Sequence, residues 1–503
     1  MLFNSLTYLL FMALAVPLVI FSPPIVRRVA LVAGSLLFYA FWRIDFTVLV
    51  VFSAVVDYVA SLNIARSAKP RARTAWLVVS LCVNLGLLVF FKYTYFLLDT
   101  GAGLLGAMGV VSDFDARRTF GIILPLGISF YTFQTISYTI DVYRGQQAPL
   151  RDFVSFLTFV MFWPQLVAGP VLRAHEVVPQ IQNPRRPHVG DIVHGLEEIL
   201  QGLFKKVVLA DGVLYSGYSI AGIVDEGFNH IAADALGPLD VWTLSFAFGL
   251  QIYFDFSGYS QIAIGSARIM GFHFPRNFDW PYFAASPRDF WQRWHISLSA
   301  WIRDYLYLPL MGAKFRGAST GGIDPKAPPS RTPVSALRRT WALFATWFIM
   351  GLWHGAAWTF ALWGLWHAVM VFGHRISEPL RVKLPMLLRT TGGWVLTLSL
   401  AMLSWILFRE QNLGEGMTML ARAFDVTRIL PIRQNMALRE DQYLLVAVYF
   451  LGLLAVAGLV KLHRHVTVPA AVRYAAITVG NAVMIFTVIL CLRQVDQFIY
   501  FQF

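Results

Sequence analysis

Residues 341–371 read WALFATWFIMGLWHGAAWTFALWGLWHAVMV, a stretch that is apolar apart from its imidazoles. A run of this length can cross the hydrocarbon core of a membrane, which is about 30 Å thick. It contains His354 within the motif Gly-Leu-Trp-His-Gly, residues 351–355. An ionisable side chain inside a membrane segment costs ~3 kcal/mol. We therefore interpret His354 first as a functional residue.

The composition of the whole chain agrees with this stretch. Of its 503 residues, 57% are hydrophobic and 14% are charged, and the mean hydropathy is +0.59. A soluble globular domain has about 25% charged residues. The chain is therefore predicted to be a polytopic integral membrane protein. Its apolar runs lack the alternation of a membrane barrel, so the predicted fold class is all-α.

About eleven segments have the length and apolarity of a membrane crossing. They are Leu2–Phe21, Val29–Trp42, Phe46–Ile64, Ala75–Leu98, Phe120–Ile140, Val193–Val213, Val241–Ile269, Trp341–Val371, Trp394–Phe408, Tyr443–Val460 and Val472–Leu492. We expect shorter re-entrant or interfacial helices beside them, around a central tunnel. We expect residues 1–503 to form a single membrane domain, with N-terminal helices in 1–182, a central region in 183–340 and C-terminal helices in 341–503.

Loop charges orient the chain. Arg27 and Arg28 follow the first segment, and four more basic residues lie between 66 and 73 after the third segment. Because cytoplasmic loops carry an excess of Lys and Arg, the N-terminus is predicted to be extracytoplasmic. The first segment lacks a charged region before it and an Ala-x-Ala cleavage site, so we interpret it as a retained helix.

The net charge of +13 does not indicate nucleic-acid binding, because the basic residues are scattered over short loops between apolar segments. Topology and contact with membrane lipids explain them better. Cys82 and Cys491 each lie within an apolar segment, so no disulfide framework is predicted. A glycine- and proline-rich basic stretch, residues 312–339, is predicted to be a flexible loop.

A second histidine motif, Arg-Trp-His-Ile-Ser-Leu-Ser, spans residues 293–299. Ser286, Pro287 and Asp289 form the signature of a helix start. One helix from Pro287 would carry an aromatic face and a polar stripe. The first comprises Trp291, Trp294, Leu298, Trp301 and Tyr305, and the second Arg288, Gln292, His295, Ser299 and Arg303. The alternative is an interfacial helix whose aromatic residues anchor it and whose histidine is solvated.

Gly351 and Gly355 flank His354 as a pair of small residues that lets a neighbouring helix approach closely. On a single helix, Trp347, Trp358 and Ala361 would share roughly its face and could wall a tunnel. The alternative is a structural histidine bonded to a neighbouring helix. His354 and His367 would be about 20 Å apart on opposite faces, so no metal site is expected.

Nucleophilic catalysis is not expected, since there is no Gly-x-Ser-x-Gly elbow and neither cysteine has a reactive setting. General base chemistry by a histidine is the reaction type that remains. A neutral imidazole can take a proton from a hydroxyl as that hydroxyl attacks an acyl carbon. Two other classes stay open. One is a transporter or flippase with proton-relaying histidines, although no internal repeat is visible. The other is a noncatalytic scaffold for polymer export.

Further sequence blocks accompany the two histidine motifs. They are LPLGISFYTFQ at 124–134, PQLVAGP at 164–170, YFDFSGYS at 253–260, the segment 289–307, and FIYFQF at 498–503. Together these blocks resemble the membrane-bound O-acyltransferase family, and within it the bacterial alginate O-acetylase branch. The resemblance covers nearly the whole chain. One departure is the basic loop that follows Leu310, where the family has a short turn.

The resemblance implies an O-acyltransferase in the bacterial inner membrane. An acyl group, acetyl in this branch, would pass from a cytoplasmic acyl-CoA co-substrate toward an extracytoplasmic polysaccharide, with a periplasmic acetyltransferase protein as partner and no other cofactor. It implies that His354 is the catalytic histidine and that His295 assists or binds substrate. Asp255, Ser257 and Tyr259 would line the site. From their positions near the histidines, Gln292, Ser299 and Trp358 are further candidates for lining a tunnel.

Overall fold

The computed structural model describes residues 1, 3–109, 120–166, 169–212, 219–312, 334–428, 436–463 and 469–491. Within these ranges the regular structure is helical, without a β-strand, which confirms the all-α class. We number the α-helices in chain order. They are α1 Leu6–Phe21, α2 Pro24–Ala40, α3 Ile44–Arg66, α4 Pro70–Leu88, α5 Thr94–Ala107, α6 Ile128–Arg144, α7 Phe153–Met161, α8 Trp163–Leu166, α9 Ala174–Gln182, α10 Val189–Leu203, α11 Ile220–Asp225, α12 Pro238–Ile269, α13 Pro287–Arg293, α14 Ile296–Ile302, α15 Leu308–Leu310, α16 Ala336–His354, α17 Trp358–Ile376, α18 Glu378–Arg381, α19 Met386–Arg409, α20 Leu413–Arg422, α21 Glu440–His463 and α22 Ala470–Cys491.

Wider or tighter helical turns extend several of these helices. The wider π-helical turns are Val89–Tyr93, Phe204–Asp211, Glu226–His230 and Arg303–Tyr307, and the tighter 3₁₀ turns are Pro281–Phe283 and Val426–Arg428. A π-helical turn inside an α-helix is frequent at functional sites. The turn Val89–Tyr93 joins α4 to α5 in one apolar helix of 38 residues, Pro70–Ala107.

The described part of the chain contains five helices that are long and apolar enough to cross a membrane: Ile44–Arg66, Pro70–Ala107, Met386–Arg409, Glu440–Val460 and Ala470–Cys491. The shorter helix α1 is also apolar. The protein is thus a multi-pass membrane protein, but the expected number of eleven crossings is not confirmed. Three predicted boundaries, Leu2, Val213 and Leu492, lie outside the described residues.

Helix α12 is the central element of the fold, because most of its 32 residues are buried. It packs against α10 through two glycine pairs, Gly195 with Gly265 and Gly202 with Gly258. A Cβ atom added at Gly258 would lie 2.7 Å from the carbonyl oxygen of Gly202, and one at Gly265 would lie 2.5 Å from that of Gly195. Only glycine permits such close backbone contact, which is typical of helices packed in membranes.

The N-terminal helices are tied to the end of α12 by buried polar contacts. Tyr8 on α1 donates its hydroxyl proton to Oγ of Ser266 at 2.8 Å, and Arg27 on α2 donates to the carbonyl oxygen of Met270 at 2.7 Å. Satisfying these groups matters because an unpaired polar group in a buried apolar setting costs ~1–3 kcal/mol. The contacts fix α1 and α2 against the central helix.

The single segment predicted over Trp341–Val371 is wrong: it is a hairpin of α16 and α17, which ends one helix at His354 and begins the next at Trp358. Gly351 and Gly364 let the two helices approach, since a Cβ at Gly351 would lie 2.2 Å from the carbonyl oxygen of Phe360. Gly355 leaves room for the Phe360 ring. The small-residue pair therefore serves the hairpin itself.

Other predicted boundaries also move. The segment Phe120–Ile140 becomes helical only at Ile128, because Gly127 before it has the left-handed φ of 71° and Pro125 precedes it. The segment Val193–Val213 begins as a helix at Val189 and continues into a π-helical turn. Most of the predicted loop 312–339 lies outside the described residues, but its last residues belong to α16, which Ser335 caps by accepting a hydrogen bond from the Arg338 amide.

Candidate active site

The second histidine motif interrupts a helix. We predicted one continuous helix from Pro287, and this is wrong: α13 ends at Arg293 and α14 begins at Ile296. Between them His295 has the left-handed φ of 42°. A non-glycine residue in this region of backbone space is uncommon and is found at functional sites more often than elsewhere. The aromatic face and the polar stripe expected of one helix therefore do not exist as continuous surfaces.

Asn277, in the extended stretch after α12, holds this break in place. Its backbone carbonyl accepts from the amide of Ile296 at 2.9 Å. Its side-chain oxygen Oδ1 accepts from both the amide of Ser297 at 3.3 Å and the hydroxyl of Ser297 at 2.8 Å, and it lies 3.1 Å from Nδ1 of His295. Its amide Nδ2 donates to Oγ of Ser260 on α12 at 3.0 Å. We call this arrangement the Asn277 latch.

The latch defines the tautomer of His295. A backbone amide can only donate, so the Asn277 atom that contacts the Ser297 amide must be the carbonyl oxygen. That oxygen can only accept, so Nδ1 of His295 must carry the proton that bridges the 3.1 Å contact. In the neutral ring the other nitrogen, Nε2, holds a lone pair, and it has no hydrogen-bond partner among the described residues.

Aromatic rings surround the His295 imidazole, which has 0% exposure. Phe256 of α12 meets it edge to face at a centroid distance of 4.6 Å. Phe130 of α6 and Phe278 lie parallel to it at 6.5 and 6.4 Å. Phe130 and Phe256 belong to sequence blocks, 124–134 and 253–260, that are separate from both histidine motifs. The site is therefore assembled from three separate elements.

His354 is the last residue of α16 and has 4% exposure. Its ring contacts the rings of Trp353 and Trp363 at 4.9 Å each and that of Phe408, on α19, at 5.3 Å. The helix ends here because Gly355 adopts an extended backbone. As a result the imidazole projects from a helix terminus and not from the middle of a membrane helix.

Lys92 and Tyr93, in the π-helical turn Val89–Tyr93, bind the terminal carbonyls of α16. Nζ of Lys92 donates to the carbonyl oxygens of Trp353 and His354, the second at 3.0 Å. The hydroxyl of Tyr93 donates to the carbonyl oxygen of Leu352 at 2.9 Å. Carbonyls at a helix C-terminus have no partner within the helix and carry partial negative charge, so an ammonium group stabilises them. This contact fixes the backbone at His354.

The two histidines belong to one site. Phe130, which lies beside His295, also contacts the ring of Trp353 at 5.8 Å, and Trp353 contacts His354. The structure therefore brings together the two histidines that the sequence placed in separate motifs.

His367 lies much nearer to His354 than we predicted. Because α16 and α17 form a hairpin, both imidazoles contact the Trp363 indole, at 4.9 and 4.8 Å, so the expected 20 Å separation is wrong. Both nitrogens of His367 are bonded: Nδ1 accepts from the indole of Trp291 at 3.3 Å and Nε2 lies 3.2 Å from the Ser404 hydroxyl. We interpret this histidine as structural. No group of three His, Cys, Asp or Glu suited to a metal ion occurs among the described residues.

The candidates from the polar stripe lie in different places. The Gln292 side chain is exposed. Ser299 donates its hydroxyl proton to the carbonyl oxygen of Trp294 at 3.2 Å, and so it satisfies a backbone carbonyl where the helix is interrupted beside His295. Trp358 has 47% exposure and contacts Phe96. Trp358 and Gln292 therefore do not join the histidine pair.

The candidates on α12 face a separate buried cluster. Asp255 forms an ion pair with Lys206, which also lies 2.8 Å from Asp211. Tyr259 contacts Lys206 through its ring and donates to Oδ1 of Asn4 at 3.3 Å. Ser257 is buried, and its hydroxyl has no hydrogen-bond partner among the described residues. The neighbours of these residues in the same block, Phe256 and Ser260, are the ones that contact His295 and Asn277.

Sequence reasoning missed Asn277 and Lys92. Asn277 lies in a loop 18 residues before its histidine, and nothing in the spacing links the two. Lys92 did carry a signal, because it lies inside the apolar segment Ala75–Leu98, and an ionisable residue there indicates function by default.

Replacing Asn277 with alanine should lower the turnover number about 10- to 100-fold, because the loss of an acceptor for buried donors costs about 1–3 kcal/mol. The effect should fall on kcat and not on donor KM, since the latch contacts His295. Asn183→Ala, which removes an exposed asparagine side chain away from the latch, is the matched control and should retain most activity. Steady-state kinetics that showed equal losses for both variants would contradict a positioning role for Asn277.

Comparison with known proteins adds an independent observation. The sequence model of the membrane-bound O-acyltransferase family matches residues 146–323. This range contains the Asn277 latch and His295 and ends before His354.

Similar proteins cover more of the chain. A probable alginate O-acetylase of Azotobacter vinelandii is 38% identical over 428 residues, which are 84% of this chain and 78% of that protein. A peptidoglycan O-acetyltransferase of Helicobacter pylori is 34% identical over 79% of this chain and 73% of its own length. A teichoic acid D-alanyltransferase of Bacillus subtilis is 29% identical over 51% of this chain and 60% of its own length.

Proposed function

Because the chain belongs to the membrane-bound O-acyltransferase family, and is thus a multi-pass membrane O-acetyltransferase, we propose a donor, a direction of transfer and two catalytic side chains. The donor is acetyl-CoA on the cytoplasmic side. The acetyl group leaves on the extracytoplasmic side for a polysaccharide hydroxyl. His354 and His295 act on the reacting groups between the two. The membrane is the bacterial inner membrane, with the N-terminus on its outer side.

One observation carries this proposal: two buried imidazoles from separate elements are connected through the contacting rings of Phe130 and Trp353, and the fixed tautomer of His295 leaves the lone pair of its Nε2 without a hydrogen-bond partner among the described residues. A purely structural histidine would be bonded at both nitrogens, as His367 is. Burying an unbonded nitrogen costs free energy, so it is retained where a substrate group occupies it.

A continuous series of aromatic rings connects the basic side of the protein with His354, and we propose that the donor approaches along it. Tyr305 lies beside two guanidinium groups, of Arg144 and Arg173, at 5.3 and 5.4 Å. From Tyr305 the rings follow one another to His354 with centroid distances of 5.1, 3.9, 5.0 and 4.9 Å, through Trp301, Phe133 and Trp353. Arginine side chains suit the phosphates of CoA, and flat apolar rings suit its thioester arm.

The proposed chemistry is a single acyl transfer. An acceptor hydroxyl attacks the thioester carbon, its oxygen forms the new ester bond, and the carbon–sulfur bond breaks. The imidazole of His354 takes the hydroxyl proton and then returns it to the departing sulfur, so the products are the acetyl ester and CoA thiol. Holding donor and acceptor in contact contributes as much as the base does.

His295 has the second role. Its Nε2 can only accept a hydrogen bond, and the single proton of the attacking hydroxyl goes to His354. Nε2 therefore orients the acceptor through a second donor group of that molecule, such as a neighbouring hydroxyl. The left-handed backbone and the Asn277 latch keep this nitrogen in one position, which is the condition for positioning a reacting group. No metal and no further cofactor is part of the proposal.

The final acceptor is a polymer hydroxyl, which the names of the relatives support: alginate, peptidoglycan and teichoic acid are all extracytoplasmic polymers. We propose that the transfer at His354 delivers the acetyl group to a hydroxyl of a separate periplasmic acetyltransferase protein, which passes it to the polymer in a second transfer.

Sealed inverted vesicles test donor and direction together. The protein is reconstituted with its cytoplasmic face outward, and acetyl-labelled acetyl-CoA is added outside. We expect label on an oligosaccharide hydroxyl, or on the partner protein, enclosed in the lumen. Labelled ester found only outside would contradict the direction. Proton-coupled movement of solute without thioester cleavage would instead support the transporter class. The absence of both activities would support a noncatalytic scaffold.

A further inference from the structure

A groove of about 610 Å³ lies between α17 and α19, and neither His295 nor His354 lines it. We call it the α17–α19 groove. On α19 its wall is formed by Leu388, Leu396 and Leu400, which recur at helical spacing on one face, and on α17 by Val369 and Met370. The groove is therefore an apolar channel between two facing helix stripes.

Two glycines give the groove its width. A Cβ atom added at Gly373 or at Gly392 would meet no atom within 4 Å, so both positions border open space. Gly393, the next residue, is different: a Cβ there would lie 2.5 Å from the carbonyl oxygen of Ala285. Gly393 permits helix packing, whereas Gly373 and Gly392 leave space that no side chain of the described protein fills.

One end of the groove is cationic. Arg381, Arg389 and His374 line it there, together with the hydroxyl of Ser377. Nε of Arg381 donates to Oγ of Ser377 at 3.0 Å, which fixes the guanidinium at the rim. The side chain of Arg389 is exposed at the same end of the groove.

The depth of the groove matches one leaflet of a bilayer. From Arg389 to Leu400 the helix rises about 17 Å, and half of the hydrocarbon core is about 15 Å. The cationic end lies on the side where α16 begins, because Arg375 donates to the Thr340 hydroxyl at 3.0 Å. This side carries many basic residues, so it is cytoplasmic by the same rule that orients the chain.

We propose that the α17–α19 groove binds one anionic phospholipid of the cytoplasmic leaflet. An acyl chain occupies the apolar channel, and the headgroup phosphate binds Arg381 and Arg389. Basic pockets between membrane helices on the cytoplasmic side suit anionic headgroups, whereas a zwitterionic headgroup would place its own cation against Arg381 and Arg389. The inner wall of the groove includes Pro287, the first residue of α13, so the lipid contacts the segment that leads to His295.

Two pairs of substitutions test the site in the purified full-length protein. Gly373→Leu with Gly392→Leu fills the channel without a clash, and Arg381→Gln with Arg389→Gln removes the headgroup charges. The matched controls are Gly452→Leu with Gly458→Leu, two exposed glycines on α21 that also border open space, and Arg66→Gln with Arg71→Gln, two exposed arginines elsewhere on the cytoplasmic side.

Native mass spectrometry in detergent then measures binding of phosphatidylglycerol and of phosphatidylcholine. We expect one phosphatidylglycerol per wild-type and control protein. We expect at least tenfold weaker binding in the filled variant and loss of the preference over phosphatidylcholine in the charge variant. Equal phosphatidylglycerol binding by filled and control variants would overturn the proposal. Displacement of bound lipid by CoA would also overturn it, because the groove would then be a donor site. The readout does not require enzymatic activity, so it is independent of the proposed function.

Discussion

Acetyl transfer should fall about 10³-fold when His354 is replaced with glutamine, because a general base contributes roughly 10²–10⁴ in rate. Glutamine has a similar volume and keeps the space among Trp353, Trp363 and Phe408 filled, but it cannot take a proton. Membrane insertion and thermal unfolding should change little. The measurement is the initial rate of labelled acetyl release from acetyl-CoA by the protein in detergent or vesicles, with acceptor present.

The exposed His194→Gln variant is the matched control for this experiment and should retain the wild-type rate. A comparison with His367→Gln adds information, because His367 is bonded at both nitrogens: this variant should lose stability more than catalysis. If the His354→Gln protein folds normally and turns over at a rate within a factor of a few of wild type, His354 is not the base.

His295→Asn should reduce the turnover number about 100-fold with little loss of stability, a separation that the geometry of the latch makes possible. The amide nitrogen of asparagine can take the place of Nδ1 and donate to Asn277, while the proton-accepting Nε2 disappears. Asparagine also tolerates the left-handed backbone found at this position better than most residues do. The break between α13 and α14 should therefore survive the change.

His295→Ala is the comparison that separates the two functions of this residue. Alanine removes both the donor to the latch and the accepting nitrogen, so it should lose stability as well as activity. Thermal unfolding of both variants, measured beside their steady-state rates, is the test. Full activity in His295→Asn together with impaired activity in His295→Ala would mean that His295 contributes only the donor bond to the latch.

Hydropathy predicted the membrane class and most helices because those follow from local composition. It did not predict the hairpin at Gly355–Ala357, because the helix ends there to accommodate the Phe360 ring beside Gly355, a contact between residues that no window average detects. The same error displaced His367 by more than half of the predicted 20 Å. Its two hydrogen bonds are made to α13 and α19, neither of which the sequence placed nearby.

In the candidate site, too, local sequence features were predicted and tertiary contacts were not. The two histidines were predicted from their motifs, because an imidazole in an apolar setting is conspicuous. The Asn277 latch was not, because helical periodicity predicted a continuous helix through His295 and only a tertiary contact interrupts it. Asp255 and Tyr259 drew attention as polar residues in an apolar block, yet their side chains face Lys206, whereas the apolar Phe256 between them is the one that contacts His295.

The latch has a consequence for the path of protons. Imidazoles in proton wires receive a proton at one ring nitrogen and release it from the other, so that charge moves onward through the ring. His295 cannot do this, because its Nδ1–H faces an amide oxygen that has no proton to pass on and is already shared with Ser297. Any proton that reaches Nε2 must depart from Nε2. A proton therefore cannot cross the His295 ring from one nitrogen to the other. This would let the protein carry out chemistry at the histidine without conducting protons across the membrane.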